Sequence, residues 1–70
     1  MMGRAVVYNK IESQNVIDPK FLSDLYYGLH VKRSTEPNSY YRELLTLKIQ
    51  LFEDAVLLED YLGMYDAIGI

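Results

Sequence analysis

The 70-residue chain has no cysteine and no tryptophan, a single histidine and two prolines. Without cysteine there is no disulfide framework and no thiolate zinc site. His30 alone cannot build a histidine-rich metal cluster, and no metal site or cofactor is expected. Gly3, Gly28, Gly63 and Gly69 are scattered, so no glycine loop is available to cradle a phosphate. No uncharged apolar run approaches the ~20 residues of a membrane span. Met1-Met2-Gly3 is followed by Asn9 and Lys10 before any apolar core of a signal peptide can form. The expectation is a cytoplasmic protein without a membrane anchor, in the host cytoplasm if the source is viral. Catalytic residues are not expected either. Nucleophilic catalysis needs a base within reach of a nucleophile, and His30 reads as a surface or capping residue at a helix end. Glu53 and Asp60 share a helix face, but seven residues apart they stand about 10 Å from each other along the axis.

What the chain does have is apolar material. Half of it is hydrophobic and 13% aromatic, with a net charge of −3, which is the profile of a folded domain. A domain this small seldom draws more than about 3–5 kcal/mol from one core without a staple. With disulfides and metal excluded, regular helix packing or self-association must serve. The spacing predicts a mostly α fold in one small domain, 1–70, with a short N-terminal β-strand followed by two helices. Residues 4–11 read as the strand, with Ala5, Val7 and Ile11 alternating on one face. Residues 12–17 read as a connection. Asp18-Pro19 opens a first helix over 18–29, with Phe21, Leu22, Leu25 and Leu29 at helical spacing and Gly28 as its stop. A polar loop follows over 32–38. A long second helix spans about 39–62 (38–62 with its cap), opened by Asn38 or Ser39 and closed by Gly63. Residues 63–70 form an apolar tail.

On a wheel of about 100° per residue, the apolar arc of that long helix covers roughly 200°, twice what an ordinary surface helix needs. One short helix and one strand can cover only one side of it. Lys48 and Glu59 are the charges inside the arc, and in an antiparallel dimer they would face each other and fix the register. The self-association surface is therefore expected at Leu45, Lys48, Phe52, Val56 and Glu59.

Charge is unevenly spread. Residues 1–36 carry five Lys/Arg and four Asp/Glu, a net of +1, and residues 37–70 carry two and six, a net of −4. On the long helix Glu53, Asp54 and Asp60 share the polar face, and none has a Lys or Arg four residues after it. Leu57 stands among them with Tyr61 nearby, an apolar anchor within a charged rim. Glu53, Asp54, Leu57, Asp60 and Tyr61 are thus the expected contacts for a second protein bearing a basic patch. Seven tyrosines, with apolar bodies and polar tips, suit half-buried and interface positions.

The order strand–helix–loop–helix is similar to that of ribbon-helix-helix repressors. The resemblance implies a dimer whose paired strands enter the major groove, with Arg4, Tyr8 and Lys10 toward the bases and an acidic tail like that of antitoxins. The connection of six or seven residues before the first helix, the longer second helix and the negative net charge depart from that pattern, and the last weakens attraction to phosphate. The expected function is a small acidic interaction module, a regulator or inhibitor of the kind found among phage accessory proteins. It would self-associate and dock on a larger protein, with DNA binding as the alternative.

Overall fold

The computed structural model describes residues 3–13 and 18–69. They form four helices: α1 (Arg4–Ser13), α2 (Pro19–Thr35), α3 (Ser39–Leu57) and α4 (Tyr61–Gly69). There is no strand among the described residues. Helix α3 is the axis of the molecule, and each of the other three packs against it. The core takes Val7 and Ile11 from α1, and Leu22, Tyr26 and Leu29 from α2. Helix α3 adds Ile49, Phe52 and Val56, and α4 adds Met64 and Ala67.

The segment 4–11, expected as a strand, is helical. Alternation would have turned Asn9 inward with Val7 and Ile11. The helix turns Asn9 out and buries Val7 and Ile11 completely, four residues apart on one face. Tertiary burial overrides the β-preference of the two valines here. Lys10 in the last turn also complements the helix dipole. With 4–11 helical, the ribbon implied by the resemblance to ribbon-helix-helix repressors is missing. The expected connection at 12–17 begins inside α1, and residues 14–17 lie outside the described residues.

Helix α2 begins at Pro19, as the proline predicts, although Asp18 makes no side-chain capping bond. It does not stop at 29. Gly28 sits in mid-helix, and the chain continues helical to Thr35. The true stop is Pro37, which forces Glu36 into an extended conformation (φ −78°, ψ 116°). Ser34 and Thr35, expected in a loop, close the last turn by donating their hydroxyls to the Val31 carbonyl. Arg33 Nε donates to Thr46 Oγ1 and ties this end of α2 to α3.

The cap of α3 is Asn38, whose side-chain oxygen accepts from the Tyr40 and Tyr41 amides at 2.9 and 3.4 Å. The helix does not run to 62. It ends at Leu57, and the chain turns through Leu58-Glu59-Asp60 into α4, so the expected tail is a helix. The turn is a Schellman motif. The Asp60 amide donates to the Ala55 carbonyl at 2.8 Å and the Glu59 amide to the Val56 carbonyl at 3.1 Å. Glu59 occupies the left-handed position (φ 55°) that glycine usually fills. Asp60 then caps α4 at once, accepting from the Gly63 amide at 2.9 Å on Oδ1. One residue thus closes one helix and opens the next. Gly63, expected as the end of the long helix, lies in the first turn of α4. A Cβ there would fall 2.5 Å from Asp60 Oδ2 and 3.3 Å from the Ala55 Cβ.

The two helical glycines predict opposite outcomes. Gly28 has open space around a built Cβ, so Gly28→Ala should stabilise the fold by about 0.5–1 kcal/mol. Gly63→Ala displaces the Asp60 cap and should cost about 1 kcal/mol. Thermal unfolding of both variants checks the pair.

Candidate partner-docking surface

Glu53, expected on the acidic outer face, is 8% exposed. Its carboxyl accepts the Tyr26 hydroxyl at 2.6 Å, a length in the range of a hydroxyl on a carboxylate. Tyr26 is completely buried, stacked on Phe52 at 5.3 Å and met edge-on by Tyr8 and His30. Burial, with the Glu53 carboxyl beside it, pushes the Tyr26 phenol far above its usual range. The phenol is therefore a held donor of the core. His30 Nε2 is buried with no hydrogen-bond partner among the described residues. Desolvation, then the Arg4 charge, lowers its pKa, with Arg33 acting the same way and Glu53 opposing. Among the described residues no group of three or more His, Asp or Glu side chains stands together to hold a metal ion. No described helix is long and apolar enough to cross a membrane.

The five residues expected to meet a partner do not share one face. Glu53 belongs to the core, Asp54 and Leu57 are exposed, and Asp60 is engaged as the α4 cap. Tyr61 is half-buried. Its hydroxyl meets that of Tyr65 at 3.1 Å, and this contact above all pushes the Tyr65 phenol up to about 12. The Tyr65 ring lies along Phe21 of α2. The tyrosine pair therefore fastens α4 to the body.

The expected self-association set is also divided. Phe52 and Val56 are completely buried in the chain's own core and Leu45 packs against it. The side of α3 assigned to a second copy is covered by α1, α2 and α4. Lys48 lies in a cleft between the end of α2 and the start of α3, while Glu59 sits on the left-handed turn. The antiparallel Lys48–Glu59 register assumed one straight helix through residue 59, and the turn at 58–60 removes it.

The apolar surface that is exposed lies elsewhere. Leu58 and Leu62, 77% and 73% exposed, are the most exposed of the large hydrophobic residues described. They stand at the α3–α4 corner. A groove of about 240 Å³ runs beside Leu58, with Leu51 and Ala67 in its wall and Asp54, Asp60 and Asp66 at its rim. That is smaller than the roughly 300–1,000 Å³ of small-molecule sites, and it suits one or two side chains of a protein. From residue 49 onward the chain carries five acids and no Lys or Arg. Reasoning from the sequence missed Leu58 and Leu62 because an unbroken wheel groups them with the core. The usable signal was Asp60, a capping residue placed just before an apolar stretch. No family model matches the chain, and no match is found among curated proteins or solved structures.

Two outcomes follow from the buried polar groups. Tyr26→Phe leaves the Glu53 carboxyl buried without its donor and should cost about 1–3 kcal/mol in denaturant unfolding. For His30, the unfolded chain takes up a proton near pH 6.5 while the folded state resists until lower pH. Between those values the unfolded state binds more protons, so stability falls as the pH drops through 6.5. His30→Gln should reduce the difference in unfolding midpoint between neutral and mildly acidic buffer. An undiminished difference sinks that assignment.

Proposed function

We propose that the chain acts by binding rather than catalysis, as a small regulator or inhibitor that docks on a larger protein through the α3–α4 corner. The occupant of the groove is an amphipathic helix of that protein, with an aliphatic anchor between Leu51, Leu58 and Ala67 and Lys or Arg on its flanks, and with Leu62 exposed beside Gly63 of the groove wall. The observation that carries this reading is the groove beside Leu58, the most exposed leucine, with Asp54, Asp60 and Asp66 at its rim and exposed Leu62 in the next helix. Large exposed apolar side chains rimmed by charge of one sign are a recurring form of interaction site. Asp54 and Asp66 are free of ion pairs among the described residues, so a basic flank would gain contacts without breaking any. The charge also steers encounter, so association should slow as salt rises.

The test is a titration of the isotopically labelled protein with a designed Lys/Leu amphipathic helix, followed by NMR. A peptide of the same composition with its leucines spread around the helix is the control. Shifts should concentrate between Leu51 and Ala67, and Leu58→Ser with Leu62→Ser should weaken binding about tenfold or more. Equal binding of the scrambled peptide, or shifts centred on another face, overturns the reading.

A further inference from the structure

Helix α3 carries a second apolar surface that the core does not use. Tyr40, Leu44, Leu47, Leu51 and Asp54 follow one another at alternating spacings of four and three residues, and the rhythm reaches Leu58 just past the helix end. Over an apolar stretch of fewer than two heptads, this is the spacing of a two-stranded coiled-coil seam. Its first four members are all exposed, from 37% at Leu51 to 64% at Tyr40. The repeat is separate from the buried stripe of Ile49, Phe52 and Val56. It belongs to a helix that is already folded and held by three others, so pairing would order little new backbone.

We propose that this stripe is a homodimer seam in which the α3 helices of two copies run parallel, with a contact centred on Leu44, Leu47 and Leu51. The charges beside the stripe choose the occupant and its direction. Glu43 flanks the seam on one side and Lys48 on the other. Neither has an opposite charge three or four residues away on its own helix, and neither is in an ion pair among the described residues. In a parallel pair, a residue at the Glu43 position meets the partner residue five places further on, which is Lys48. The two-fold axis makes this contact twice. An antiparallel pair that matched the same apolar residues would instead set Lys48 near Tyr41 of the partner subunit and Glu43 near the partner's Gln50, leaving both charges unpaired. Charge complementarity thus favours a second copy of this chain in one orientation. Asp54 ends the seam, because two carboxylates would meet across it. The contact is therefore confined to the first two-thirds of α3, and the dimer is expected to be weak. The proposal rests on the charges beside the stripe and does not depend on the docking reading, although the two surfaces share Leu51.

Sedimentation of the full chain from micromolar to millimolar concentration should show a reversible monomer–dimer equilibrium. Glu43→Lys and Lys48→Glu should each weaken it about tenfold, and the double reversal should restore it. Asp54→Leu should tighten it. Circular dichroism and melting of each variant confirm that the fold is kept. The chain has no cysteine of its own, so Tyr40→Cys reports direction separately. Parallel helices bring the two new thiols together, whereas antiparallel ones hold them about 15 Å or more apart, and a disulfide needs Cα atoms within about 7 Å. Efficient oxidation to a dimer supports the proposal. A monomer at every concentration, which leaves the stripe to a different protein, overturns it. So does a dimer in which Tyr40→Cys fails to cross-link or the double reversal fails to rescue.

Discussion

The architecture depends on one constraint: α3 is apolar around more than half of its circumference, and the three other helices must cover what they can of it. They cover one side. Phe52 and Val56 lie at 0% exposure beneath α1, α2 and α4, and Ile49 is nearly as deep. The turn at Leu58-Glu59-Asp60 serves this arrangement, because an α3 continued to residue 62 would carry Met64 and Ala67 away from the core they complete. A non-glycine residue held at φ 55° is a local cost of about 1–2 kcal/mol. The Schellman bonds and the Asp60 cap offset it by satisfying backbone groups at two helix ends together.

Within the covered side, the Tyr26–Glu53 pair sets how α2 meets α3. A buried carboxyl without a donor would be expensive, so the pairing of these two helices is tied to the bond between them. The Tyr26 ring also brings Tyr8, His30 and Phe52 around itself, which places α1 as well. A chain with no disulfide has few other means of specifying one packing among several. A satisfied polar contact inside an aromatic cluster is one such means, and its loss should loosen three helices at once.

Much of the helical character was legible in the sequence, and the residues that misled did so for physical reasons. Pro19 and Asn38 marked two helix starts because both act locally, through a fixed φ and a short capping side chain. Gly28 and Gly63 were read as stops, but glycine only permits an ending. Pro37 and the Asp60 turn impose one. Residues 4–11 looked extended because valine and tyrosine favour strands, and only the position of Asn9 argued otherwise. The excess width of the apolar arc on α3 was readable from spacing alone. Which half the fold would cover was not, since that depends on the turn at 58–60 and on the direction of α4. The surface assigned to Leu45, Phe52 and Val56 turned out to be interior, and Glu53 went with it because Tyr26, distant in sequence, supplies its donor.

Asp54 marks the junction of the two surfaces that remain, which share Leu51. On its N-terminal side the bare stripe of α3 is flanked by one acid and one base, a pattern that a second copy can match. On its C-terminal side every charge is negative, and a second copy would meet its own sign. An apolar patch with a uniformly acidic rim is therefore poorly suited to self-pairing and well suited to a basic partner. In a parallel dimer the two acidic corners lie at the same end of the molecule, facing the same way. A partner that presents two basic helices could engage both, and the second contact would then form at high effective concentration without any new residue being involved. A weak seam is enough for this. Where the bivalent partner leaves Leu51 to the seam, docking at the corners stabilises the dimer by linkage, and dimerisation strengthens docking by the same free energy.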